Sequence, residues 1–139
     1  ALLRCYSIQA QGEIVEVEFI LIVNVNTPLE LNSNAKIIRI FDIDKYHPDV
    51  QTFEVVDEKN ELVALFYADF FPRKGKRNGA WMTSYKSQYI QNGINERPHI
   101  SNVCNFTPPT PTKPSLLTFN EVTTLFHEFG HGLHGMLAN

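Results

Sequence analysis

The chain has 139 residues, room for one domain with a modest core. Composition is ordinary, at 43% hydrophobic and 19% charged, with 12 Lys and Arg against 15 Asp and Glu for a net charge of -3. That balance gives no electrostatic case for nucleic acid or an anionic membrane surface as partner.

The chain begins at Ala1 rather than Met, and no basic stretch precedes a long apolar run. No leader is read there, and the sequence is expected to be a piece of something longer. The first forty residues favour strands. Glu13 to Phe19 alternates polar and apolar with period two, and Ile20 to Val25 continues as a β-branched run suited to a buried strand. The apolar stretch Phe19 to Val23 is far short of the roughly 20 residues a membrane helix needs. Asn24, Asn26, Thr27 and Pro28 then signal a turn, and Ala35 to Phe41 is a short strand.

Tyr46-His47-Pro48-Asp49 is a turn, and a hairpin signal follows. Thr52 to Val56 is one strand, Asp57 to Asn60 the loop, and Glu61 to Phe71 the returning strand. Arg73-Lys74-Gly75-Lys76-Arg77 is the one basic cluster. It reads as a solvated turn, with a peptide-carboxylate or phosphate contact as the alternative. Ala80 to Tyr89 is ambiguous between helix and irregular chain, Asn92 to Pro98 reads as loop, and His99 to Phe106 as a strand. Cys104, in that strand, packs as a small hydrophobe, with a nucleophile as the alternative. With Cys5 it makes two cysteines, too few for a disulfide scaffold and consistent with a reducing compartment. Thr107 to Pro114 holds four of the eight prolines and must be extended linker.

The last element is the best marked. Thr118 as N-cap and Glu121 at the third helical position form a capping box, so a helix starts near Phe119. Val122, Leu125, Phe126, Phe129 and Leu133 supply an apolar stripe. Gly130, Gly132 and Gly135 each weaken the helix by about 1 kcal/mol relative to Ala, which implies a closely packed neighbour or a frayed end.

That helix carries His127-Glu128-Phe129-Gly130-His131, an H-E-x-x-H sequence. Histidines four residues apart on one helix face can reach one zinc ion. Glu128, one residue round, is placed to act as general base on the attacking water. His134 falls on the same side, within about 60° of His127 and His131, but about 10 Å along the axis from His127. A third zinc ligand, a contact to substrate or to the ligands, and plain packing all stay open for it. His47 and His99 sit beside prolines and read as structural or exposed.

Beyond the motif, the chain resembles the thimet oligopeptidase and peptidyl-dipeptidase family of zinc metallopeptidases. The likeness rests on Tyr46 to Val50, Ala64 to Phe71, Gly79 to Met82, Asn102 to Phe106 and Leu125 to Gly135. Within the family it is most similar to bacterial dipeptidyl carboxypeptidases. The resemblance implies a large, mostly helical protein that hydrolyses short peptides. It also implies Zn2+ held by His127 and His131, with Glu128 as general base. The third ligand implied is a glutamate on a following helix, beyond Asn139.

The expected architecture of the piece itself is α+β: an antiparallel sheet with hairpins plus the C-terminal helix. A strand-rich segment over residues 1–45, outside the resemblance, precedes a partial catalytic domain over 46–139. Such a piece is expected to be inactive alone, to expose apolar surface and to self-associate. Short peptides are the expected partners, and the cytoplasm is the expected location, with the periplasm still open. Two alternatives stand. One is a self-contained metallohydrolase with its third ligand from His134, His99 or Asp69. The other is a non-catalytic, strand-rich module that adds a peptide to a hairpin edge.

Overall fold

The computed structural model of the chain describes residues 4–8, 14–17, 29–31, 35–40 and 42–137. Strands β1 (Arg4–Ile8) and β2 (Ile14–Val17) pair antiparallel, and β3 (Leu29–Leu31) pairs with β4 (Ala35–Ile40). The buried strand expected over Ile20 to Val25 lies outside the described residues. β4 also pairs with β5 (Gln51–Asp57), and β5 with β6 (Leu62–Asp69), through the hairpin that the polar run Asp57 to Asn60 predicts. The Asp57 carboxylate caps that turn by accepting from the backbone N–H groups of Lys59 and Glu61. The sheet therefore runs across the boundary drawn between residues 45 and 46.

Two segments differ from their sequence reading. Ala80 to Tyr89 contains a strand, β7 (Trp81–Lys86), and the loop read over Asn92 to Pro98 contains half of a small hairpin. That hairpin joins β8 (Tyr89–Gln91) to β9 (Ile94–Glu96), turning at Asn92 and Gly93 with φ of 53° and 79°. Two successive left-handed residues are what a tight two-residue hairpin turn requires, and Asn-Gly is the dipeptide that tolerates them. The chain then returns as β10 (His99–Val103), which inserts between β6 and β7. The large sheet has the order β3-β4-β5-β6-β10-β7 and is mixed rather than wholly antiparallel, because β10 runs parallel to β6. A two-residue strand, β11 (Leu116–Leu117), pairs with β1 and leads into the helix α1 (Phe119–Leu137).

The core lies between one face of this sheet and α1. Phe53 and Val55 of β5, Ala64, Phe66 and Ala68 of β6, and Ile100 of β10 alternate onto that face, as period two demands. Leu125, Phe129 and Met136 of α1 meet them, and Phe129 stands edge-on to Phe66 with ring centroids 5.7 Å apart.

The opposite face carries a buried charge. Asp69, 1% exposed, ends β6 and accepts two hydrogen bonds from the Arg73 guanidinium, at 2.6 and 2.8 Å. Lys76 Nζ and the Tyr46 hydroxyl each donate to it at 2.9 Å. Lys76 also donates to the Asp69 and Phe71 carbonyls. Two cations of the basic cluster thus fold back to close the loop between β6 and β7, which corrects the reading of a solvated turn. Burial alone would push the Asp69 carboxyl up; the bonds from Arg73, Lys76 and Tyr46 outweigh it and hold the group below its ordinary value of 3.8.

Asp69→Asn should destabilise the chain by about 3–5 kcal/mol in urea unfolding, because it leaves Lys76 and Arg73 facing a neutral partner. The depressed carboxyl contributes stability that is complete above 3.8 and is lost as pH falls through its lower folded value. The wild-type chain should therefore lose more stability on acidification below about pH 4 than the Asp69→Asn chain does.

Candidate metal centre

The helix that carries the histidines is anchored at its start by local chemistry. Glu121 N–H donates to Thr118 Oγ1 at 3.3 Å, and Thr118 N–H donates to Glu121 Oε2 at 2.7 Å, the reciprocal pair of a capping box. The other oxygen, Oε1, accepts from the Thr107 N–H and hydroxyl at 2.6 and 3.0 Å. One carboxylate thus ties the proline-rich linker to the helix. Burial alone would push Glu121 up, but the bonds from Thr118 and Thr107 hold it below the ordinary range.

The buried stripe is rotated from the one read off the sequence. Leu125 and Phe129 are buried and Val122 and Leu133 partly so, but Phe126 is 49% exposed and Glu128 takes an inward position at 9% exposure. The glycines explain the rotation. A Cβ at Gly135 would sit 2.9 Å from Ile100 Cδ1, and one at Gly132 would sit 3.0 Å from Asn102 Oδ1. α1 therefore packs closely on the Ile100 and Asn102 side chains of β10, with no side chain of its own at these two positions. Gly130, by contrast, faces open space.

This docking turns His127, His131 and His134 outward, where all three are exposed. The Nε2 atoms of His127 and His131 lie 3.1 Å apart, with the rings at 78° to one another. Two nitrogens held at 2.0–2.1 Å by one tetrahedral zinc would be about 3.3 Å apart, so the pair fits a shared ion. His127 and Glu128 line one open hollow of about 370 Å³ together with Asn120, Thr123 and Thr124. A second hollow, of about 260 Å³, shares Asn120 and Thr124 with it and extends to Gly79 and Ala80, just ahead of β7. His127 and Glu128 therefore border one groove between α1 and the edge of the sheet.

The other residues singled out by sequence lie elsewhere. Among the described residues no group of three His, Cys, Asp or Glu side chains could hold a metal ion. His99 packs against the Tyr67 ring, and burial pushes its pKa down. His47 caps its own turn by accepting from the Asp49 N–H. Asp69 is engaged by two cations, which leaves it no role as a ligand. Cys104 is fully buried, and burial first, with the Glu128 charge second, pushes its thiol up to about 12. It packs as a core residue rather than serving as a nucleophile. Two residues that sequence reasoning passed over matter here. Asn105 Nδ2 donates to the carbonyls of Arg77 and Gly79, holding the loop that flanks the groove. Asn102 fills the gap beneath Gly132. The available signal was an Asn inside a strand, where that residue is depleted.

The model of peptidase family M3 matches residues 29–139. The chain is 50% identical over 98 residues to dipeptidyl carboxypeptidase of Salmonella typhimurium, covering 70% of this chain and 14% of that protein. It is equally similar to oligopeptidase A of Escherichia coli, 50% identical over 98 residues with 70% and 14% covered. A thimet-like oligopeptidase of Dictyostelium discoideum is 42% identical over 106 residues, covering 74% of the chain and 16% of that protein. The chain thus spans about one-seventh of the length of the curated relatives it matches.

Gly130→Ala should stabilise the chain by about 0.5–1 kcal/mol, since Ala favours the helix and the added methyl meets nothing. Gly132→Ala should lose that gain and fall about 1–3 kcal/mol below it, because the methyl presses on the Asn102 carboxamide. Thermal unfolding of the two variants side by side checks the order.

Proposed function

The chain belongs to peptidase family M3, and from that membership we propose that it is part of the catalytic region of a zinc-dependent peptidase acting on short peptides. The observation that carries the reading is the convergence of His127 and His131 on one point, 3.1 Å between their Nε2 atoms, beside a groove that Glu128 also borders. His127 and His131 would hold the ion as neutral imidazoles. When bound, zinc polarises the scissile carbonyl and makes a water acidic enough to attack at neutral pH.

Glu128 supplies the proton transfer. Its carboxylate takes a proton from the attacking water and passes it to the leaving amine nitrogen. Partial burial suits the task, since a shielded carboxylate keeps its geometry and competes less with bulk water. His134, one turn beyond His131 on the same exposed side, is proposed to contact substrate or the ligand histidines. The third ligand would come from outside the described residues, so this stretch by itself holds a half-site and is expected to be inactive. The self-contained alternative lacks a third donor among the described residues. No helix among the described residues is long and apolar enough to cross a membrane. Cytoplasmic action is the proposed setting, and one relative from Arabidopsis thaliana is named a probable cytosolic oligopeptidase A. Exposed Ile90, Ile94, Phe119 and Phe126 favour self-association of the isolated chain.

Metal titration of the chain should show one weak zinc site that His127→Ala or His131→Ala removes and His47→Ala leaves intact. Equal zinc binding by the His127→Ala chain would overturn the ligand assignment. In the longer peptidase that contains this stretch, Glu128→Gln should keep the metal and lower kcat by about 10²–10⁴-fold. Retained hydrolysis would remove Glu128 as the base.

A further inference from the structure

Among the described residues, Asn102 is the side chain with both polar atoms buried and neither paired. It is 0% exposed, on the face of β10 that α1 covers, two residues from Ile100 on one side and Cys104 on the other. Its Oδ1 and Nδ2 lie 3.0 and 3.5 Å from where a Cβ on Gly132 would be. Glu128 is one turn earlier on α1, on the same inward side, and its side chain accepts no hydrogen bond from the described residues. Its charge nevertheless reaches the residue just after β10, since it acts on the Cys104 thiol.

A buried amide without a partner is unfavourable, and Glu128, 9% exposed as a residue and bordering an open hollow, has no side-chain hydrogen bond among the described residues to fix its carboxylate. Here the missing donor and the missing acceptor belong to facing elements, with Glu128 and Gly132 separated by about 6 Å of helix rise. Both side chains point into the same layer between sheet and helix. We propose that Asn102 is a positioning residue for Glu128, its Nδ2 donating to the Glu128 carboxylate through one water shared by the two or, after a side-chain shift, directly. One carboxylate oxygen is then held against the sheet. The other is left at the rim of the hollow it borders with His127, facing the place where a proton is to be taken. Gly132 is required in the same arrangement, because any side chain there would displace the carboxamide.

The role as positioning residue rests on the peptidase reading, but the contact itself is tested without metal or substrate. In the 15N-labelled chain, the Asn102 side-chain amide pair is assigned by its disappearance in Asn102→Ser. It should shift in Glu128→Gln, lose its protection from solvent exchange in Glu128→Ala, and stay in place in His134→Gln. An Asn102 pair unmoved by both Glu128 substitutions would overturn the proposal and place the amide on the helix backbone instead. Should the Glu128 variants fail to fold, a crystal structure of the wild-type chain decides. Nδ2 within about 3.2 Å of a Glu128 oxygen, or both atoms on one water, supports the contact, and any other partner for Nδ2 overturns it. Loss of hydrolysis or of zinc binding in the tests of the peptidase reading would leave this measurement untouched.

Discussion

The close seating of α1 on β10 is the constraint on which the rest of the site depends. A helix can pack against a sheet at any rotation that buries apolar side chains, so an apolar stripe alone sets its orientation loosely. Gly132 and Gly135 narrow that freedom, because the helix approaches Asn102 and Ile100 so closely that a methyl at either glycine would press on their side chains. The edge-on contact of Phe129 with Phe66 holds the rotation from the other side. Turning the helix by one residue, about 100°, would drive a histidine into the core and lift Glu128 into solvent.

That rotation divides three neighbouring residues between two environments. His127 and His131 stay exposed, where imidazoles are accessible to an ion, while Glu128 is held at 9% exposure on the border between core and groove. Sequence neighbours on a helix are about 100° apart, so H-E at adjacent positions places an imidazole and a carboxylate on different sides of one edge, as the proposed ligand and base roles require. The groove they border is closed at its far end by the loop before β7. Asp69 holds that loop through Arg73 and Lys76, and Asn105 holds it through the Arg77 and Gly79 carbonyls. A buried charge on one face of the sheet thus shapes the wall of a site on the other.

What could be read from the chain was what depends on near neighbours. The capping box joins residues three apart, the Asp57 to Asn60 turn joins adjacent strands, and the histidine spacing is a property of one helical turn. The Asn-Gly turn at residues 92 and 93 was equally local and was passed over because the flanking strands are only three residues long. β7 is different in kind. Its residues alternate weakly, and it becomes a strand by pairing with β10, which arrives later in the chain and slots in beside it. The basic cluster misled for a related reason. A run of Arg and Lys usually faces water, and its return to Asp69 depends on where β6 ends in three dimensions.

The sequence by itself determined the chemistry: two imidazoles and a carboxylate on a capped helix, in a run specific enough to identify the family. It also determined most of the strands, since period-two burial is written residue by residue. Only the tertiary structure decided which face of α1 turns inward. It buried Glu128, exposed Phe126, showed that Gly132 and Gly135 serve contact rather than fraying, and placed Asn102 under the motif. The physical reason is that periodicity records which residues prefer to leave water. The exact rotation is set instead by steric contact between groups far apart in the chain, and no local pattern encodes that.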